Sequence, residues 1–335
     1  MNFISRRILA GAALATLVAS GLSAGDAAAQ ARVQMRYSNA ASPGDWHIRG
    51  MEVFKAELDK ALPGRFDVQI YPSASLFKQG TELAALQRGN LELVHLTYQD
   101  LSPDTPELSI FTVPYVIRDV DHLRKLGEGK IGEWMRTKVA SASGVQLLTP
   151  FYLGMRHVGM REVKNVRTPA DLKGVKMRMP PAKEWLFLGE SLGANPTPLG
   201  FQEIYLALKT GTIDAQDNAF STLRQIKLEE VLKEISLTGH IIFPLYLGVS
   251  NKVWGTLTPN EQARIRDATV VAAKFNDDNR LREEGESVAY FRSKGLVITN
   301  PDREAFREFA QKKYRESAYA KVWVPGMMEQ IAAIK

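Results

Sequence analysis

The segment that most restricts the fold of this 335-residue chain lies near its end. Thr258-Pro259-Asn260-Glu261 is a capping box with proline at the first helical position. Beyond it a helical pattern runs without glycine or proline to Gly285, and the periodicity carries on to Phe291. At 1.5 Å per residue such a helix is roughly 35–50 Å long, more than one small lobe can cover. The rest of the chain therefore has to supply two lobes for it to lie across.

The preceding segments supply them. Residues 33–37 and 66–71 have strand character, and the apolar stripe Met51, Phe54, Leu58 and Leu62 between them predicts a helix closed by Pro63-Gly64. A helix over 81–88, stopped by Gly89-Asn90, and a strand over 91–96 complete a βαβαβ opening, which implies a mostly parallel sheet with helices on both faces. A second α/β unit follows. It has a strand over 145–152, a one-turn helix capped by Thr168-Pro169 and ended by Gly174, and a strand over 175–179. Helices over 184–192 and 201–209 and a short strand over 213–216 complete it. After the long helix come a strand over 296–299 and an amphipathic helix over 303–314. With 45% hydrophobic residues the chain can fill two cores. The expected division is lobe I from 32–151 with 244–283, and lobe II from 152–243 with 284–335.

The first 31 residues read as an export signal. Arg6 and Arg7 precede an apolar run over 8–22, and the alanines at 27–29 and 31 offer cleavage near residues 29–31. The Arg6-Arg7 pair leaves general and twin-arginine export both open. No other apolar run reaches membrane-spanning length, so the expected destination is a periplasm, with the mature chain free and soluble. The chain has no cysteine, which excludes disulfides, thiol chemistry and a lipidated cysteine anchor. Its net charge of +6 is spread without basic tails, which argues against nucleic acid as a partner.

Several catalytic-looking matches fail on context. Gly21-Leu22-Ser23-Ala24-Gly25 fits a nucleophile elbow but lies in the export signal. Gly127-Glu128-Gly129-Lys130-Ile131-Gly132 fits a dinucleotide fingerprint but follows a helical stretch where a strand is required. Ser75-Leu76-Phe77-Lys78 and Lys209-Thr210-Gly211 mimic two penicillin-binding signatures whose third element is missing between them. The 5 histidines are scattered without a metal-ligand pair. Neither an enzyme, nor a cofactor, nor a metal is expected.

The run Thr168-Pro169-Ala170-Asp171-Leu172-Lys173-Gly174-Val175-Lys176-Met177-Arg178-Met179-Pro180 resembles the signature of the solute-binding proteins of tripartite ATP-independent periplasmic (TRAP) transporters, the DctP family of C4-dicarboxylate- and sialic-acid-type receptors. The resemblance extends through residues 192–199 and 201–208 to Gly211-Thr212-Ile213-Asp214-Ala215-Gln216-Asp217-Asn218. This last stretch departs from the family pattern by Ala215 for Gly and Asp217 for Glu. It covers essentially the whole mature chain, including Tyr71-Pro72 and Val113-Pro114-Tyr115.

The resemblance implies a two-lobe periplasmic binding protein of the Venus flytrap type, with hinge strands near Phe151 and Phe243 and the long helix spanning both lobes. The ligand would be a small-molecule carboxylate in the cleft, held by Arg178 through a bidentate salt bridge. Arg156, after Gly154-Met155, and Asn218 would assist. A planar guanidinium suits a carboxylate; on the residues alone, pairing of Arg178 with Asp217 or Glu203 stays open. First-lobe candidates sit at strand-to-helix corners, where open α/β sheets bind ligands. They are Trp46 and His47, the Lys78-Gln79 turn, and Tyr98 with Gln99. Tyr152, Phe220 and Tyr246 could form apolar walls or belong to the core. The implied role is a monomeric receptor that passes an organic acid to the small and large TRAP membrane subunits. A carboxylate receptor for another transporter type or for a sensor kinase is the alternative. A dicarboxylate, a sugar acid and an aromatic acid all stay open as ligands.

Overall fold

The computed structural model describes residues 32–335, so the export signal and its cleavage site lie outside the described residues. The chain begins with β1 (Val33–Ser38), α1 (Trp46–Ala61), β2 (Phe66–Tyr71), α2 (Glu82–Arg88) and β3 (Leu93–Leu96). β1 pairs in parallel with β2 and with β3, as two βαβ crossovers require. Met51, Phe54 and Leu58 form the buried face of α1, and Asp45 caps it by accepting from His47 N. α2 ends at Gly89, whose φ of 79° is the left-handed conformation that glycine adopts without strain.

A helical stretch follows: α3 (Tyr98–Leu101), a 3₁₀ turn at Pro106–Thr112, α4 (Val120–Glu128) and α5 (Lys130–Ser143), leading into β4 (Val145–Met160). The Gly127–Gly132 match falls across the α4–α5 junction, not on a strand–turn–helix. The second α/β unit comprises β5 (Lys176–Met179), α6 (Lys183–Ser191), β6 (Asn195–Pro198), α7 (Ile204–Thr210), β7 (Ala215–Ala219) and α8 (Phe220–Gln225). β5 is parallel to β6 and β7. The helix expected over 201–209 is a 3₁₀ turn at Phe201–Glu203 followed by α7. The remaining elements are β8 (Glu234–Ser250), α9 (Asn251–Trp254), α10 (Pro259–Ser293), β9 (Val297–Thr299), α11 (Arg303–Glu316) and α12 (Met327–Ala333).

All nine strands among the described residues join one sheet, in the order β2-β1-β3-β8-β4-β7-β5-β6 with β9 on β8. The mostly parallel expectation holds within each βαβ unit and fails at the centre, where β3–β8, β8–β4 and β4–β7 are antiparallel. The cause is a pair of very long strands. β4 runs past its expected end at residue 152, and β8 extends far on both sides of the hinge strand that the family resemblance implied near Phe243; they pair along their length with register shifts at Leu147/Pro150, Tyr152/Gly154 and Arg156/Val158. Pro150, Gly154 and Pro244 look like breakers in sequence, but bulged pairing accommodates them. At Gly154 φ is 126° and an added Cβ would sit 2.6 Å from the Ala219 Cβ, so only glycine fits where β4 passes β7.

α10 continues through Gly285 for 35 residues, about 52 Å at the α-helical rise. Its two ends belong to different cores. Ile265, Ala268, Ala272 and Ala273 pack with Met51, Phe54 and Leu58 of α1, whereas Phe291 packs with Ile204, Leu208 and Phe220. Between them the helix buries a polar stretch, Asn276, Asp277 and Arg280, against β4 and the first loop. At the C-terminus Met327 and Ile331 of α12 join the core of α4 and α5, and His122 Nε2 donates to the Ile331 carbonyl at 2.9 Å. No helix among the described residues is long and apolar enough to cross a membrane.

Candidate functional site

A cavity of about 360 Å³ lies between the two α/β units, with Gln79 and Gln99 on one wall and Arg178 and Asn218 on the other. Three hydrogen bonds cross the gap at its edges: Arg178 Nη2 to Gln79 Oε1 at 2.9 Å, Gln202 Nε2 to the Ala40 carbonyl at 2.7 Å, and Gln225 Nε2 to the Pro43 carbonyl at 2.8 Å. The two sides are thus closed on each other.

Arg178, on β5, is 1% exposed. Its Nε donates to the Leu199 carbonyl at 2.9 Å and its Nη2 to the neutral Gln79 amide; among the described residues no carboxylate lies within ion-pair distance of it. Burial, with Arg156 nearby, pushes its pKa down to about 9. A buried guanidinium in this state is several kcal/mol poorer than one facing a carboxylate.

The pairing of Arg178 with a protein acid, left open by the sequence, is pre-empted by Arg156. From β4, Arg156 Nε reaches Asp217 Oδ2 at 2.7 Å and Nη2 reaches Oδ1 at 2.9 Å, a fork-to-fork pair with Asp217 fully buried. Trp185 and Phe243 lie under the guanidinium, 5.0 and 5.7 Å from its centre. His240 Nε2 stands 3.1 Å from Asp217 Oδ2, and Thr238 Oγ1 is 2.8 Å from its Nδ1. Burial holds this imidazole below its ordinary pKa, so the neutral ring donates from Nε2 to the carboxylate and accepts at Nδ1. Asp217 is held well below the usual carboxylate range: burial works the other way, but Arg156 and His240 outweigh it. Arg156 lines the cavity with its charge already matched. Asn218 lines it too, its Nδ2 donating to Gln216 Oε1 at 2.8 Å.

The opposite wall is built on a second buried ion pair. Arg280 Nη2 lies 2.5 Å from Asp45 Oδ1 and also contacts His47 Nδ1 and, through Nη1, Ser221 Oγ. His47 Nδ1 also lies 3.3 Å from Asp45 Oδ1, but Arg280 is nearer and can only donate, so Nδ1 accepts and the proton of the neutral ring sits on Nε2. Burial and the Arg280 charge keep His47 neutral, its pKa pushed down to about 4. Among the described residues His47 Nε2 is buried without a partner, as are both amide atoms of Gln99 and Thr222 Oγ1, and all three residues line the cavity. Buried polar groups are rarely left unpaired; these four atoms lie on the same cavity.

Of the residues singled out in the sequence, Arg178, Arg156, Asn218, His47, Gln79 and Gln99 come together on the cavity. Trp46, Tyr98, Tyr152 and Phe220 do not line it. Trp46 turns to α10, its Nε1 donating to Glu283 Oε2 at 2.6 Å. Tyr98 stacks on Phe111 in the core. Side chains alternate along β4, so Leu153 lines the cavity while Tyr152 faces α10 and donates to Glu284 Oε2 at 2.8 Å. Phe220 stacks on Phe291. Lys78 and Tyr246 also lie outside the lining; the Tyr246 hydroxyl pairs with that of Tyr98 at 3.0 Å. The lining adds His95, Thr222, Glu82 and Asp100, which sequence reasoning missed. His95 and Asp100 flank the β3–α3 corner where Tyr98 and Gln99 were sought. The corner was legible, but not which of its side chains turn inward.

This architecture, two α/β units closed over a cavity with paired long strands and a helix spanning both, defines a bilobed solute-binding protein. The chain belongs to the bacterial extracellular solute-binding proteins of family 7, whose model matches residues 37–321. It is 30% identical over 290 residues to the sialic acid-binding periplasmic protein SiaP of Vibrio cholerae, covering 87% of this chain and 90% of that one. It is 26% identical over 301 residues to the 2,3-diketo-L-gulonate-binding periplasmic protein YiaO of Escherichia coli, covering 90% and 91%. A TRAP periplasmic solute-binding protein from Roseobacter denitrificans, solved with bound 3-deoxy-D-manno-oct-2-ulosonic acid, superposes with a TM-score of 0.87 at 36% identity, over 91% of this chain and 100% of that one.

Proposed function

We propose that this chain is the periplasmic receptor of a TRAP transporter, that it binds a small organic acid with Arg178 on the carboxylate, and that it delivers the acid to the membrane permease. The observation that carries the reading is a fully buried guanidinium that faces the cavity with no carboxylate within ion-pair distance of it among the described residues. A ligand carboxylate would supply the missing half of a charge-assisted, bidentate pair. The relatives support the class, since sialic acid, 2,3-diketo-L-gulonate and the octulosonic acid are named as what those proteins bind.

The lobes would be 32–151 with 244–283 and 152–243 with 284–335, with α12 at the C-terminus fastened to α4 of the first. Opening would bend β4 and β8 near Phe151 and Phe243, and an acid touching both walls would shift the population toward closure. In this reading the mature chain, cut near residues 29–31, works as a monomer and turns nothing over. A thermal-shift screen of organic acids tests it: an acid at 100 times its dissociation constant adds about 2.7 kcal/mol to the folded state. Failure of every carboxylate to shift unfolding would reject the reading, and conversion of a bound acid followed by NMR would replace a receptor with an enzyme.

A further inference from the structure

The cavity's charges are not arranged for two carboxylates. Arg156 is neutralised by Asp217 and Arg280 by Asp45, which leaves Arg178 as the one cavity guanidinium without an acid among the described residues. Away from Arg178 the lining turns acidic. Glu82, 8% exposed, accepts from Gly80 N at 2.7 Å, and Asp100 accepts from Thr97 N and Oγ1, both at 2.8 Å. No cation lies within ion-pair distance of either among the described residues. Glu184 of α6 lies near enough to feel Asp100; its own cation is the exposed Lys183, 3.6 Å away, and Asp104 stands at the rim. Among the described residues the cavity also carries three neutral side chains with unpaired polar atoms: the Gln99 amide, 0% exposed with neither atom partnered, the His47 Nε2–H and the Thr222 hydroxyl.

Resting on the carboxylate reading of Arg178, we infer that Glu82 and Asp100 are specificity residues that accept hydroxyl protons from the tail of a polyhydroxylated monocarboxylate and exclude a second carboxylate. Hydroxyls can both donate and accept, which is what a wall of carboxylate, amide and imidazole N–H requires, and a site built for them rejects analogues that leave its groups unpaired. A second carboxylate would meet two acids with no basic partner, a repulsive element of the kind that gives discrimination. Burial, followed by the Asp100 charge, raises the Glu82 pKa to about 7. The exclusion should therefore weaken as Glu82 takes up a proton.

The test uses matched pairs that differ only in the far carbon: D-gluconate and D-glucarate, D-xylonate and D-xylarate, L-threonate and L-tartrate. Calorimetry on the mature protein at pH 8 should show the best monocarboxylate binding at least tenfold tighter than its dicarboxylate partner. The gap should shrink at least threefold at pH 6, and Glu82→Gln should close most of it at pH 8 by tightening the dicarboxylate. The wild-type pH series stands if that variant fails to fold. A dicarboxylate binding as tightly as its partner, or a gap unmoved by both pH and Glu82→Gln, would overturn the inference, as would binding confined to acids without hydroxyls. In each of those outcomes Arg178→Ala still abolishes binding if the receptor reading holds. Loss of all carboxylate binding in the wild type instead rejects that reading itself.

Discussion

Asp217 is the carboxylate that Arg156 occupies, at 2.7 and 2.9 Å, and by occupying it Arg156 leaves Arg178 one strand away without a protein acid. Of the two buried guanidiniums only Arg156 is paired with this carboxylate, so among the described residues Arg178 keeps an unpaired positive charge at its end of the cavity. Asp217→Asn should therefore do two things. Stranding the Arg156 charge should cost about 3–5 kcal/mol of stability, measured by urea unfolding, and the acid ligand should recover an unusually large part of it. A melting temperature within a degree of wild type would contradict the pairing.

Gln99 is a liability to the empty protein. Both atoms of its amide are buried without partners among the described residues. Gln99→Leu should leave the ligand-free fold as stable as wild type or about 1–3 kcal/mol more stable, while weakening the ligand. Loss of stability together with unchanged affinity would show that Gln99 serves the core.

Much of this was legible in the sequence. The capping box at Thr258 announced α10, and the Asp171–Pro180 run brought Arg178 and, through the family pattern, Asn218 to the cavity. Beyond the hinge strand that the resemblance implied near Phe243, β8 was not legible, because a strand buried on both faces shows no alternation and Pro244 and Gly239 interrupt it. Nor were the partners of the arginines. Asp217 could have served Arg178 or Arg156, and only the antiparallel pairing of β4 with β7 brings it to Arg156. Tyr152 and Phe220 lie off the cavity lining, the core alternative that the sequence left open, because one step along a strand or helix turns a ring from cavity to core, as Tyr152 beside Leu153 and the corner residue Tyr98 beside Gln99 do.

His47 links stability to pH. Its pKa is about 4 in the folded protein, against about 6.5 when unfolded. The folded ring binds fewer protons in that interval, so its contribution is complete above about pH 6.5 and is lost as the pH falls toward 4. His95, His157 and His240 are also buried with lowered pKa values and act in the same direction. Glu82, whose folded pKa is raised to about 7, opposes them as the pH falls, so the His47 share is read by difference: unfolding free energy should fall more across this window in wild type than in His47→Gln. Nitrogen chemical shifts of the ring should show the proton on Nε2. A flat profile, or a proton on Nδ1, would contradict the assignment.

Gly154 lets β4 pass close to β7. With φ at 126° and Ala219 Cβ 2.6 Å from where its own Cβ would lie, Gly154→Ala should destabilise by about 1–3 kcal/mol. Denaturant unfolding measures this, and a neutral result would mean that β4 can move away from β7.

The central claim is that Arg178 waits for a ligand carboxylate. Titration calorimetry of Arg178→Ala with the acid found by thermal shift should show a loss of about 2–5 kcal/mol in binding. Arg178→Lys should recover little of it, because an ammonium lacks the planar fork. Wild-type affinity in Arg178→Ala would contradict the account.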